Sequence, residues 1–556
     1  MAFESQTAVG DVRNEQSIAQ IPYDIWCEII DRLRPGEDQC LRECKLDVAK
    51  LTLVCRSFCA IARPVLFSEL SFSGRGDPTK PPWSIDQHLE WINLIKGGSS
   101  IRLHVKSYTL LDWPSKGPDV LRATIDEHMH LLSHFPNLQS LRLNAVDIAG
   151  WMIQSIQQLP NLETLSLEDC KFYQDVKDLV LPGPIARLRR YEHYGTISRP
   201  IDQTAGPYFS VIVKLISTST LRVLKLCDWD LTNSFILGGV DCPVEDLDVM
   251  VRSSSIDLFS RYLCRTPTIK ALRISTFIPP TQFMDTPAFS LEPSALPHLQ
   301  EVQCPGEFLP MLIPGRPVQR VTVIQLNPFK RLDGRPVNVS PIKQSSAPII
   351  ELGVTDRAYQ GMDTKDHFPN LETLTIYAIE KTRLDVKKEQ HPIRNVRFYP
   401  ATSSRFPRLT VQNYSFDLQK QRSMLDDFKE TFPHALRIQL AGGYVEWRRD
   451  SASNWRPFVI ARDLARRRLS VFAWNLERGQ LQDLTWTKVV DTDGCLAGLF
   501  RPEEMTQSLA LILSADGTTS PSELQARLDD SIAPKLVPDP AAGADEGPSG
   551  DARSSQ

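Results

Sequence analysis

A nine-residue phrase recurs along this chain and limits what it can fold into. Phe135-Pro136-Asn137-Leu138-Gln139-Ser140-Leu141-Arg142-Leu143 is followed by Leu159-Pro160-Asn161-Leu162-Glu163-Thr164-Leu165-Ser166-Leu167. It returns as Phe368-Pro369-Asn370-Leu371-Glu372-Thr373-Leu374-Thr375-Ile376. Looser copies of its apolar spacing sit at Leu221/Leu224/Leu226, Val244/Leu247/Val249 and Ile269/Leu272/Ile274. Others are Leu299/Val302, Val318/Val321/Val323 and Ile393/Val396/Phe398. In the L-x-L half both apolar residues point to one face of a strand, because side chains alternate with a period of two. One such unit cannot bury its apolar side alone. Units of this kind have to stack, each covering the next.

The spacing clusters at roughly 22 to 27 residues and resembles a degenerate leucine-rich repeat, whose period is about 20–29. The asparagine or cysteine that usually follows the strand is mostly missing, with Cys170 and Cys227 the nearest equivalents. The resemblance implies an α/β fold, an irregular leucine-rich-repeat solenoid with a parallel sheet, over residues 68–445. At its start, Ser68-Glu69-Leu70-Ser71-Phe72 alternates like a strand. Ser84 and Gln87 form a capping-box pattern, opening a helix that Ile85, Leu89, Ile92 and Ile95 continue until Gly97-Gly98 stops it. Ile101-Arg102-Leu103-His104-Val105 is predicted as the next strand. Ala435 to Leu440 closes the array, and residues 446–515 cap it through Tyr444, Trp447, Trp455 and Phe458. On the concave face, Arg142, Ser166, Lys225 and Arg273 differ in charge and spell no recognition code. The Pro/Ala/Gly/Asp/Ser-rich residues 516–556 and the polar residues 1–20 are expected to be disordered.

Ahead of the repeats, Ile21 to Leu33 reads as a short amphipathic helix. Pro22 fixes its entry, and Asp24 lies in the first turn, where the helix dipole favours an acid. Ile25, Ile29 and Leu33 recur every four residues, Trp26 and Ile30 widen the stripe, and Pro35-Gly36 ends it. A second helix is predicted near Leu46 to Ala62, with Leu51, Val54, Cys55 and Phe58 on one face. Two or three helices in so short a stretch make a very small core and leave apolar surface for a partner.

These residues resemble the F-box. Its pattern is a Leu-Pro helix opening, then Leu-x-x-Val-Cys-Arg/Lys-x-Phe/Trp, then Leu-Trp/Tyr. The corresponding residues here are Ile21-Pro22, Leu51-x-x-Val54-Cys55-Arg56-x-Phe58 and Leu66-Phe67. Ile21 replaces the usual Leu, and the stretch between Leu33 and Leu51 is longer than usual. The resemblance covers residues 21–67 and implies binding to the Skp linker subunit of SCF ubiquitin ligases, and through it to a cullin. Pro22, Ile25, Ile29, Leu33, Leu51, Val54, Cys55 and Phe58 would form or support that interface. The repeats would hold a protein substrate that the sequence does not name. The alternative is a repeat scaffold with no role in ubiquitination.

The remaining composition narrows the class. Lys+Arg 63 against Asp+Glu 67 gives a charge of −4, without the basic excess of a nucleic-acid binder. No secretory apolar segment opens the chain, and no run is long and apolar enough to cross a membrane. The 11 cysteines read as reduced thiols, pointing to cytoplasm or nucleus. P-loop, dinucleotide, nucleophile-elbow and zincin motifs are absent. No catalytic residue, cofactor or metal is expected. Cys40/Cys44 and Cys55/Cys59 have helical rather than zinc-knuckle spacing. Asp491 to Gly494 reads as a turn, and Arg466-Arg467-Arg468 as a solvated helix face.

Overall fold

A computed structural model describes residues 25, 28–29, 41–74, 84–111, 113, 119–195, 206–238, 241–277, 291–324, 338–355, 358–359, 362–378, 393–400, 425, 428–429, 431–440, 445–449 and 455–459. Two helices open this region, α1 (Leu41–Thr52) and α2 (Arg56–Leu66). Strands follow: β1 (Glu69–Ser73), β2 (Ser107–Leu111), β3 (Ser140–Asn144), β4 (Asp147–Ile148), β5 (Thr164–Glu168), β6 (Lys171–Phe172), β7 (Arg190–Tyr194), β8 (Val223–Leu226) and β9 (Asp246–Arg252). The series continues with β10 (Ala271–Phe277), β11 (Glu301–Pro305), β12 (Arg320–Ile324), β13 (Glu351–Thr355), β14 (Thr373–Ala378), β15 (Asn395–Pro400), β16 (Arg437–Gln439), β17 (Val445–Arg449) and β18 (Trp455–Val459).

All but β4 and β6 form one 16-stranded sheet in chain order. From β1 to β16 every pairing is parallel; β16–β17 and β17–β18 are antiparallel. Parallel neighbours require a crossover on one face. Here helices such as α3 (Ile85–Lys96), α4 (Asp119–Leu131), α5 (Gly150–Gln157) and α6 (Gly206–Ile216) provide it.

The register explains why loose leucine spacing suffices. Leu141, Leu165, Tyr191, Leu224, Leu247 and Leu272 are consecutive partners in one row, each at 1 % exposure or less. The row continues to Ile438. Alignment comes from the strands, so connection length can vary, from the short Val302–Val321 step to the long Val396–Ile438 step. A column of backbone bonds accompanies it: Gln139 N to Lys106 O, Glu163 N to Gln139 O and Arg189 N to Glu163 O, each 2.8 Å. It runs on to Leu436 N and Arg394 O, also at 2.8 Å.

The Asn of the repeated phrase has a mechanical role. Asn137 Nδ2 donates to Leu103 O (2.7 Å) and Asn161 Nδ2 to Pro136 O (2.8 Å), each tying a coil to the one before. Four residues before the inward row, Thr220 and Thr268 occupy the same place. They donate to Leu188 O and Val244 O, both at 2.7 Å. Cys170 acts as the repeat's cysteine: its buried thiol donates to Leu143 O (3.4 Å) and Glu168 O (3.5 Å). The turns after β3, β5 and β7 are left-handed at Ala145, Asp169 and Gly195. At Gly195, φ is 87° and an added Cβ would lie 2.1 Å from Asp169 Oδ1, so glycine is required.

Two expectations need correction. Residues 100–103 form a 3-10 helix, capped by Ser99, and the strand begins at Ser107. Val105 is an inward residue preceding the strand, as Leu138 is one coil later. Ser84 and Gln87 do form the capping box of α3, which ends at Gly97. The helix expected over Leu46 to Ala62 is broken. Leu53 N and Val54 N close α1 onto Lys50 O and Leu51 O. Cys55 then turns extended, and its sulfur caps α2 by accepting from Phe58 N.

Candidate docking surfaces

The N-terminal helices hold their own core. Phe58 and Ile61 form a buried cluster separate from the solenoid core, with Leu51, Cys55 and Val65 packed around it. Ile25 and Ile29 lie in helical backbone four residues apart, hence on one face. They are 43 % and 42 % exposed, and Val54 is 57 % exposed in the turn between α1 and α2. Of the eight residues singled out above, Ile25, Ile29 and Val54 are therefore outward. Phe58 is buried and Leu51 and Cys55 are half-buried. Pro22 and Leu33 lie outside the described residues. Fully burying one such side chain contributes about 1.5–3 kcal/mol, so a partner that covers these residues gains a few kcal/mol from them.

The unit is tied to the sheet. Lys45 in α1 donates to the main-chain oxygen of Glu69 at the start of β1, the first strand of the sheet. Burial lowers the Lys45 pKa, opposed by the Glu69 charge.

The second surface is the outward sheet face. Arg142, Ser166, Glu192, Lys225, Asp248 and Arg273 are register partners across it, so the four positions expected to face a ligand do share a row. Their charges are largely cancelled by neighbours. Arg142 pairs with Glu168 at 2.6 Å, Lys225 with Glu192 at 2.9 Å, and Arg273 with Asp246 at 2.7 Å and Glu301 at 2.6 Å. Burial opposes the Glu192 charge, but hydrogen bonds from Lys225 and Arg190 outweigh it and hold the carboxyl below its usual range. Towards the C-terminal coils, Thr373, Thr375 and Gln439 on this face are buried. The terminal hairpin extends the same core: Trp447 is fully buried against Ile438, and Trp455 is 6 % exposed. Tyr444, and the side chain of Phe458, lie outside the described residues.

Inside the solenoid, two groups of buried polar side chains went unnoticed in the sequence. Tyr108 Oη lies 2.6 Å from His128 Nδ1, and His128 Nε2 lies 3.0 Å from His88 Nδ1, among Phe72, Trp91 and Trp113. Burial, then His88, lowers the His128 pKa to about 3, so it is neutral with a partner at each nitrogen. His193 sits between Leu167 and Leu226 in the second inward row. Among the described residues neither of its nitrogens has a partner, nor has the Tyr191 hydroxyl. Burial lowers the His193 pKa to about 4. A histidine within an apolar alternation was the available signal.

Among the described residues, no group of three His, Cys, Asp or Glu could hold a metal ion, and no helix is long and apolar enough to cross a membrane. No family model and no curated protein matches this sequence. Among solved structures, a Bacteroides fragilis protein aligns at 11 % identity and a TM-score of 0.24. The alignment covers 47 % of this chain and 85 % of that one. The TLR13–ssRNA13 complex aligns at 12 % identity and a TM-score of 0.25, over 63 % of this chain and 45 % of that one. Likeness at this level carries no functional argument. The fold itself, an α/β array with a long parallel sheet, rests on the strand register above.

Proposed function

We propose that this chain is a non-catalytic substrate-recognition adaptor of an SCF-type cullin–RING ubiquitin ligase. The N-terminal helices dock on a Skp-type linker, and the repeat array holds a protein substrate. The observation that carries this reading is that Ile25, Ile29 and Val54 are exposed while Phe58 and Ile61 form a small core apart from the main one. So small a core leaves apolar side chains for a partner to cover. The resemblance of residues 21–67 to the F-box names the partner. Tethering would raise the local concentration of substrate lysines near a ubiquitin-loaded enzyme, and the enzyme rather than this chain would carry out the transfer.

Co-expression with a Skp-type linker and its cullin tests this. Linker and cullin should co-purify with the wild-type chain and be lost with Ile25→Asp/Ile29→Asp. Retention of the linker without cullin would favour the repeat scaffold lacking a ubiquitination role. Failure of the linker to co-purify at all would overturn the adaptor reading.

A further inference from the structure

We propose that the last parallel coil carries a docking site for an extended, carboxylate-rich peptide, held by Arg394, Arg437 and Arg448. The proposal deepens the adaptor reading by giving the class of segment that the array recognises.

Its basis is a break in the charge pattern of the sheet. Through the middle coils, cations on the outward face have acids across the strand or along the rung. Arg273 lies between Asp246 and Glu301, and Lys270 bonds to Glu245 at 2.7 Å. At β16 this stops. The register partners of Arg437 are Asn395 on one side and Arg448 on the other. Arg437 and Arg448 are therefore direct cross-strand partners in one row. Like charges directly opposite each other on neighbouring strands are destabilising. Arg448 is bonded to Glu446 at 2.7 Å, whereas Arg437 is exposed and has no ion pair among the described residues.

Arg394 lies one residue ahead of Asn395, the register partner of Arg437. Its carbonyl accepts from Leu436 N (2.8 Å) and Arg437 N (3.0 Å), which holds its backbone against that of Arg437. Arg394 is also exposed, and forms no ion pair with Glu372 on the neighbouring rung. The nearby Arg397 is already engaged by Glu351 at 2.9 Å. Thr375 and Gln439 are covered, so the accessible part of this end is the leading edge of the strands, where Arg394 and Arg437 lie.

Neighbouring strands are about 4.8 Å apart, so this row repeats positive charge at about that interval. A run of acidic residues in an extended segment matches it better than one acid would. The planar guanidinium fork suits carboxylate oxygens. A bound acidic segment would also relieve the repulsion built into the row.

The test is fluorescence anisotropy on the full chain at low salt. The probe is a labelled peptide of six glutamates in Gly/Ser flanks; the control has six glutamines. The acidic peptide should bind at least tenfold tighter than the control, and salt should weaken it. Arg394→Ala/Arg437→Ala should cost at least tenfold, and Arg437→Lys should cost less. Arg142→Ala, at a paired site near the N-terminal end of the sheet, should change binding less than twofold. Equal binding of the glutamine peptide, indifference to the double substitution, an equal loss with Arg142→Ala, or binding only of a phosphoserine version would each overturn the proposal. An unchanged urea midpoint shows that each variant is folded. Linker co-purification should be the same for the double variant and the wild type, so this proposal and the adaptor reading fail separately.

Discussion

Replacing His193 with leucine should stabilise the protein and flatten its acid sensitivity. His193 is 1 % exposed, its register neighbours are Leu167 and Leu226, and neither ring nitrogen has a partner among the described residues. An unsatisfied buried polar group costs about 1–3 kcal/mol. Leucine is similar in size, already occupies both flanking positions, and has no polar atom to strand. The expected gain at pH 7.5 is therefore about 1–3 kcal/mol, seen as a higher urea midpoint.

The pH dependence has a definite sign. The folded pKa of His193, about 4, lies below the ordinary 6.5. Below pH 6.5 the unfolded chain therefore takes up a proton that the folded chain refuses. Stability is complete above pH 6.5 and falls as the pH drops towards 4. The slope is up to about 1.4 kcal/mol per pH unit, roughly 3 kcal/mol in all. His128, with a folded pKa of about 3, contributes in the same sense and remains in the variant. His193→Leu should remove the His193 share of the slope between pH 6.5 and 4, up to about 1.4 kcal/mol per pH unit. Urea unfolding monitored by circular dichroism at pH 7.5, 6 and 5 reads both effects. A lower midpoint at pH 7.5, or an unchanged slope, would refute the argument that the imidazole is stranded.

Arg316 is 3 % exposed and bonds to the carbonyls of Ala295 (2.7 Å), Met311 (2.8 Å) and Glu292 (2.9 Å), pinning two connections together. Arg316→Ala should destabilise by about 2–3 kcal/mol, since it strands one buried and two part-buried acceptors; a change below 1 kcal/mol in urea melts would show that the carbonyls find other partners. Asn161→Ala should cost about 1 kcal/mol through loss of the bond to Pro136 O, and an Asn161→Leu variant as stable as wild type would refute the tie. Gly195→Ala should destabilise by more than about 1 kcal/mol, because the turn needs positive φ and the Cβ meets Asp169; a neutral thermal shift would contradict the close approach.

The sequence displayed the array because register depends on two inward positions per coil, and leucine spacing reports those directly. A coil whose inward residues are not aliphatic, such as Tyr191/His193, is not legible by that spacing. Residues 101–105 alternate like a strand, but side-chain capping at Ser99 drew them into a 3-10 turn. Arg316 follows no period, because its acceptors are main-chain carbonyls from distant connections. In the N-terminal unit, periodicity marked the apolar stripe without distinguishing covered from uncovered positions. Phe58 proved to be core, and Ile25, Ile29 and Val54 proved to be surface. The helix break at Cys55, a consequence of capping, placed Val54 in an exposed turn.

Amide hydrogen exchange of the full chain, with and without a purified Skp-type linker, tests the central claim most directly. The account expects new protection confined to peptides spanning residues 25–33 and 51–58, with the strands from β2 to β16 unchanged. Exchange in those peptides that is already slow without the linker, or that stays the same when it is added, would contradict it.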